Sequence, residues 1–311
     1  MTRINEYHQP VLVDEVIKGL KVGSNAHLKK QSWYVDATLG TGGHTLAILE
    51  MGVKVLGIEW DQDTLDIAEE RIKTAYPVQD TNLAPYKLIH GNFIEIDKIL
   101  NGLQIGHIAG ILVDLGVNSL QLMSRIRGFS FENEDTELDM RIDRRKNSVK
   151  AKDLLNILRK DQLMALFKAT LDFPDAKIIT HSVISKRNLK TFNSMGDFLT
   201  IARDLRSRSG THPATKALLA LRIAVNSELY NIEAALPKML SVLSTGGRLA
   251  VISFHSGEDK IVKNAFSSFS EKGLGKIITK KPIIPTAEEV ITNPSARSAK
   301  LRIIEKNDKG K

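Results

Sequence analysis

Apolar residues recur along this chain in two rhythms. Over residues 11–20 they fall at helical spacing, whereas 33–38, 53–60, 87–90 and 108–114 are short runs dense in Ile, Val and Leu. Such runs predict strands buried on both faces, as in a parallel sheet. A helical stretch over 64–74 separates the second run from the third, and the alternation predicts a sheet with right-handed crossovers. After Asp114 the rhythm changes. No strong strand signal occurs over 119–211, while 151–159, 162–169 and 198–205 show helical spacing, which predicts a helical insertion. A long amphipathic stretch, 215–243, follows, with Pro237 predicting a kink or boundary, and the strand rhythm resumes at 247–254. Two more strand-like runs, 275–284 and 299–306, lie around a proline-bearing loop and predict an antiparallel hairpin at one sheet edge. The expected fold class is α/β: a Rossmann-like sheet built from 1–118 and 212–311, interrupted by a helical domain over 119–211.

The first crossover carries the most specific chemistry. Trp33-Tyr34-Val35 runs directly into Asp36-Ala37-Thr38-Leu39-Gly40-Thr41-Gly42-Gly43-His44-Thr45, and the second apolar run ends in Glu59. A strand, glycine turn, helix and second strand with a terminal carboxylate put main chain and a sugar-hydroxyl acceptor in one crevice, the arrangement that grips a nucleoside. A dinucleotide fingerprint needs a third glycine where this chain has Thr45. The adjacent Gly42-Gly43 instead suits a wider turn lying flat against a ligand without a pyrophosphate, such as S-adenosylmethionine. A plain strand-to-helix turn is the alternative for the glycines taken alone.

In an open parallel sheet, ligands lie beyond the carboxyl ends of the strands. The third strand ends in His90-Gly91-Asn92-Phe93 and the fourth in Asp114-Leu115-Gly116-Val117-Asn118. Phe93 offers an aromatic face for adenine, or a core aromatic; Asp114 offers an acceptor for an amino group, or a helix cap. Acceptors from Asp114 and Asn118 suit an exocyclic amine, whose lone pair is delocalised into the ring until its hydrogens are held; alignment rather than strong base catalysis then supplies most of the acceleration. His255, at the end of the fifth strand, is a candidate for orienting the base or collecting the released proton, with a loop histidine bonded to main chain as the alternative.

Composition narrows the class further. The chain of 311 residues has no Cys, which rules out disulfides and thiolate metal sites, and its histidines and acids show no metal-ligand spacing. No run approaches the ~20 apolar residues of a membrane span, and the amino terminus lacks a signal-peptide layout; a cytoplasmic enzyme without membrane contact is expected. The formal charge is +8, of which +6 falls in residues 261–311, where 11 Lys or Arg face 5 Asp or Glu. That bias favours a polyanionic partner, while 5% aromatic content argues against a single-strand stacking platform.

Tyr7-His8-Gln9-Pro10-Val11-Leu12, the turn from Asp36 to Thr45, Val113-Asp114-Leu115-Gly116-Val117, Arg127-Gly128-Phe129-Ser130-Phe131, Leu138-Asp139-Met140-Arg141, His212-Pro213-Ala214-Thr215, Val225-Asn226-Ser227-Glu228-Leu229, Ser253-Phe254-His255-Ser256 and Asn293-Pro294-Ser295-Ala296-Arg297-Ser298 stand in order along the chain. Together they resemble the motifs of the bacterial small-subunit ribosomal RNA cytosine-N(4) methyltransferases. The resemblance implies an S-adenosylmethionine-dependent enzyme with a methyltransferase sheet, acting on the exocyclic amine of a decoding-region cytosine in 16S ribosomal RNA within a small-subunit particle. It places the cofactor contacts on Gly42, Gly43, His44, Glu59, Phe93, Asp114 and Gln121. Relatives usually have Asp at Glu59, Ser at Asn118 and Gly-Pro at Thr136-Glu137, so the substrate-facing loops are less well determined than the cofactor site. Arg125, Arg127, Arg203, Arg206 and Arg208 in the insertion are expected to cover the pocket and bind phosphates around an extruded base. A nicotinamide dehydrogenase is disfavoured by the missing glycine. A DNA amino-methyltransferase is disfavoured by Asp114-Leu115-Gly116-Val117 where that class has Asn/Asp/Ser-Pro-Pro-aromatic, and a non-catalytic RNA-binding protein has little need for acids at successive strand ends. The oligomeric state is left open, a homodimer included.

Overall fold

In a computed structural model, residues 9–23, 32–78, 80, 83–203, 205 and 212–308 are described. The chain opens with α1 (Val13–Gly19) and then alternates β1 (Trp33–Asp36), α2 (Gly43–Glu50), β2 (Lys54–Glu59), α3 (Gln62–Ala75), β3 (Tyr86–His90), α4 (Ile96–Gly102) and β4 (Ile108–Asp114). Helices α5 (Ser119–Met123), α6 (Ala151–Ile157), α7 (Lys160–Phe167), α8 (Phe173–Arg187), α9 (Met195–Ala202) and α10 (Ala214–Asn226) follow. The chain then returns through α11 (Glu228–Val242), β5 (Leu243–Ser253), α12 (Ser256–Glu271), β6 (Gly275–Ile277), α13 (Ala287–Thr292) and β7 (Lys300–Lys306).

Two compact units result, one from Met1–Asn118 with Leu229–Lys311 and the other from Ser119–Glu228. The first unit is a seven-stranded sheet in the order β3-β2-β1-β4-β5-β7-β6. Strands β1 to β5 are parallel, and β7 runs antiparallel to both β5 and β6. Apolar runs on both faces explain the doubly wound form. On β2, Leu56 and Ile58 pack with Leu236, Met239 and Phe266 of α11 and α12, while Val55, on the opposite face, joins Ile48, Leu65 and Ile72 of α2 and α3. Each such fully buried aliphatic side chain stabilises the fold by roughly 1.5–3 kcal/mol. The expected hairpin at the sheet edge is present, although β6 is only three residues long and β7 is wedged between it and β5.

The second unit is helical, and its loop motifs hold it together. Asn226 accepts from Ile142 N–H at 2.8 Å and donates to the Met140 carbonyl at 2.8 Å, while Arg141 forms a two-pronged pair with Asp139 at 2.6 and 2.9 Å. A Cβ on Gly128 would lie 2.6 Å from the Glu137 carbonyl oxygen, so only glycine lets these strands of loop close on each other. Glu137, at one departure from the family pattern, is held by Lys150 at 2.8 Å and Lys152 at 2.7 Å, which keep its carboxyl below the usual range.

Two sequence expectations differ from this architecture. Pro237 does not bound a helix: it lies inside α11, and the break comes at Ser227, whose φ of 51° ends α10. The helical unit also continues past the expected limit at 211 to Glu228, because α10 packs against α6, α7 and α9.

Candidate active site

Acidic residues end three adjacent parallel strands: Asp36 on β1, Glu59 on β2 and Asp114 on β4. Strand order reverses between β1 and β4, the switch point above which an open α/β sheet binds its ligand. Asp36 is buried and works locally, accepting from the Thr45 hydroxyl at 2.8 Å and from Thr38 N–H at 3.4 Å. Burial pushes its pKa up, opposed by His44 and these two hydrogen bonds.

The glycine turn is shaped by conformation and by close packing. Gly40 and Gly42 have φ of 53° and 83°, and a Cβ on Gly42 would meet Ile72 Cδ1 at 3.0 Å. A Cβ on Gly43 would press on the Pro10 ring at 3.0 Å, so the turn lies flat between α3 and the segment before α1. Glu59 reaches back to this turn: Oε2 accepts from Gly40 N–H and Oε1 from Asp61 N–H, both at 2.8 Å. Burial raises its pKa to about 7 against the lowering effect of those main-chain donors, with Asp61 adding a further raising charge. The carboxylate keeps a lone pair for a hydroxyl donor.

Asp114 is held at the backbone and open at the carboxylate. Its N–H donates to Thr38 Oγ1 at 2.6 Å. Among the described residues Oδ1 has no hydrogen-bond partner, and Oδ2 lies 3.7 Å from His44 Nδ1, beyond hydrogen-bond distance. Burial raises this carboxyl to about 7; nearby His44 opposes the rise, and Asp36 and Glu258 reinforce it. His44 is itself fixed, with Nε2 2.8 Å from the Val11 carbonyl. A carbonyl only accepts, so Nε2 carries a hydrogen and Nδ1 is the ring nitrogen turned toward Asp114. An acceptor that lacks donors, beside a carboxylate already tied to the glycine turn, fits a nucleoside bearing hydroxyl and amino hydrogens.

The remaining expected residues are placed as follows. Asn118 Nδ2 donates to Thr64 Oγ1 at 3.1 Å, and that hydroxyl donates to Asp61 Oδ2 at 3.1 Å, tying the loop after β4 to the start of α3. Phe93 sits half-buried in a short 3-10 turn after β3, against the core on the α11 side of the sheet. Gln121 is buried in α5, within the second unit. His255 caps α12: Nδ1 accepts from Gly257 N–H at 3.2 Å and Glu258 N–H at 3.4 Å. The ring hydrogen therefore sits on Nε2, 3.2 Å from Glu258 Oε1, and no ring lone pair is left to collect a proton. His255→Ala is expected to cost about 1 kcal/mol in thermal unfolding, recovered by the cap-competent His255→Asn. Equal midpoints for wild type and the alanine variant would remove the capping role.

Two expectations about arginines change. Arg127 is buried, donating to the Ile142 carbonyl at 2.7 Å, and so braces the second unit instead of meeting phosphates; Arg206 and Arg208 lie outside the described residues. Arg125 and Arg203 are exposed. Asp36 and Glu258 were not among the expected site residues. Asp36 carries the same signal as Glu59 and Asp114, an acid closing an apolar run, and Glu258 stands three residues after the capping His255. Among the described residues no group of three or more His, Cys, Asp or Glu is placed to hold a metal ion, and no helix is long and apolar enough to cross a membrane.

Residues 5–307 match the MraW methylase family. The chain belongs to that family. It is similar to the ribosomal RNA small subunit methyltransferase H of Coprothermobacter proteolyticus, 38% identical with 96% of each chain covered. It is also similar to the protein of the same name from Dictyoglomus thermophilum, 37% identical with 99% of each chain covered. Among solved structures, a putative methyltransferase from Streptococcus mutans in complex with SAH is similar at a TM-score of 0.43 and 16% identity, over 96% of this chain and 98% of that one. As a member of that family the chain is an S-adenosylmethionine-dependent methyltransferase, and its own strand order makes the sheet Rossmann-like.

Proposed function

We propose that this methylase modifies 16S ribosomal RNA at the exocyclic N(4) amine of a decoding-region cytosine, in the cytoplasm and on a small-subunit particle. The relatives' names supply the RNA class. The observation that carries the chemistry is Asp114: a carboxylate at the switch point whose Oδ1 has no donor among the described residues. S-adenosylmethionine, when bound, supplies an electrophilic methyl group. Main chain at Gly42, Gly43 and His44 holds the donor, Glu59 accepts from its ribose hydroxyls, and Phe93 gives a face for adenine. Asp114 accepts an amino hydrogen of the cytosine, which turns the nitrogen lone pair out of conjugation with the ring. Asn118 braces the loop that follows, and His255 positions the start of α12 near Asp114 through Glu258. After transfer the nitrogen is acidic, and Asp114 receives its proton.

The test is to incubate purified protein with labelled S-adenosylmethionine and small ribosomal subunits from a strain lacking the homologous enzyme. Nucleoside mass spectrometry should find N(4)-methylcytidine in the 16S RNA. Label on another base, or none, overturns the reading.

A further inference from the structure

The basic bias of residues 261–311 is unused by the active site described above. Part of it converges on a cavity of about 480 Å³ bounded by α12, β6 and β7. Lys263, Ser267 and Ser270 lie on one face of α12 at helical spacing, Lys276 comes from β6, and Thr279 and Lys280 come from the segment after it. Phe266 and Ile277 line the cavity's apolar part. Arg302 also lines it, but its guanidinium is committed to Asp259 at 2.6 and 3.2 Å, with Lys300 3.6 Å from the same carboxylate.

The three lysines differ from Arg302. Among the described residues none of their ammonium groups has a carboxylate within ion-pair distance, and no carboxylate lines the cavity. Mutual repulsion makes such a grouping unfavourable without a counter-charge. Protection of an edge strand against pairing accounts for Lys276 alone, since Lys263 is on a helix and Lys280 lies beyond the strand. Cations from three segments, interleaved with hydroxyl donors and apolar surface, match the chemistry of a nucleotide's phosphate and sugar.

We propose that this cavity binds the phosphodiester backbone of the RNA substrate, with Lys263, Lys276 and Lys280 as its phosphate contacts. The inference rests on the RNA substrate argued above, and the site is separate from Asp114, Glu59 and the glycine turn. Its place on the α12–β6–β7 edge gives the methyltransferase unit an anchoring surface of its own for RNA.

The test measures equilibrium binding of 16S RNA fragments to the full chain over a range of salt. The variant Lys263→Gln, Lys276→Gln, Lys280→Gln is compared with wild type and with Lys18→Gln, Lys73→Gln, Lys98→Gln, which removes the same charge elsewhere on the unit. Losing three phosphate contacts should reduce the log–log salt slope by roughly 2–3 and weaken binding about tenfold or more at low salt. The control triple should fall much less, and S-adenosylmethionine affinity should stay unchanged in both. Equal slopes for the two triples overturn the proposal while leaving the methylation reading intact; failure of wild type to bind RNA at any salt overturns both. Amine acylation of the wild-type protein needs no variant to fold: bound RNA should shield Lys263, Lys276 and Lys280, and undiminished labelling of all three counts against the site.

Discussion

Asp114→Asn should lower single-turnover methyl transfer by about 10²–10³-fold or more while making the protein more stable at pH 8. The substitution keeps the side chain's shape, and the main-chain bond from residue 114 to Thr38 remains available. What disappears is a charged acceptor for the target amine and a receiver for its proton, functions of the magnitude expected for general-base and electrostatic contributions. The stability gain has a separate cause. Burial, reinforced by Asp36 and Glu258 and opposed by His44, raises the Asp114 carboxyl to about 7. A raised carboxyl contributes stability that is complete below its unfolded pKa and is lost as pH climbs through 7, so at pH 8 the ionised group weighs against the fold. Replacing it should recover on the order of 2 kcal/mol at pH 8, fading toward pH 4. Thermal unfolding at both pH values and stopped single-turnover assays check the two halves. Loss of activity together with loss of stability at pH 8 would assign Asp114 to the scaffold.

The sheet was legible because its strands are continuous apolar runs whose ends carry the polar chemistry; Glu59 and Asp114 stand out for that reason. Helix α8 was not. Its buried residues, Asp175, Ala176, Ile179, Thr180 and Val183, mix two aliphatic side chains with a small one and two polar ones, so the face carries little apolar contrast. The break at Ser227 was hidden for a different reason. It adjoins Asn226, which is tied to Met140 and Ile142, contacts more than eighty positions away in the chain. Pro237 suggested a boundary by local rules, but burial of Leu236, Met239 and Leu240 in the sheet core carries the helix through it.

Within the site, the sequence marked which residues carry chemistry but not what holds them. The bonds that hold the site residues join Thr38 to the Asp114 main chain, Val11 to the His44 ring and Gly40 to the Glu59 carboxylate, all across sheet and turn. His255 shows the converse. Its position at a strand end suggested a free ring, whereas its local pattern, an acid three residues later, describes a helix cap, and the structure has that cap. Arg127 likewise looked like one of several surface cations until the loop carbonyls it satisfies came into view.

Glu59 gives the second large effect, and its pH dependence has the opposite sign for binding and for folding. Its carboxylate joins the Gly40 and Asp61 amides, so removing it loosens the turn as well as deleting the ribose acceptor. Glu59→Ala should weaken S-adenosylmethionine binding by about 10²-fold, the scale of a charge-assisted hydrogen bond with its desolvated partners left unpaired. Only the ionised form accepts from hydroxyl and amide donors on both oxygens. With its carboxyl raised to about 7 by burial and by neighbouring Asp61, affinity should fall about tenfold for each pH unit below 7 and level off above it. Folding runs the other way, since the contribution of a raised carboxyl is greatest in acid and is lost through pH 7. Calorimetric titration with S-adenosylmethionine between pH 5.5 and 8.5 should therefore show affinity rising as the unfolding temperature contribution of this group declines. Glu59→Gln should flatten the affinity profile at the weak, low-pH level. Glu59→Asp should retain a pH-dependent affinity, because its shorter carboxylate remains an ionisable acceptor for the ribose. If the glutamine variant keeps the wild-type profile, the titrating group that governs donor binding lies elsewhere, and Glu59 serves only to pin the turn.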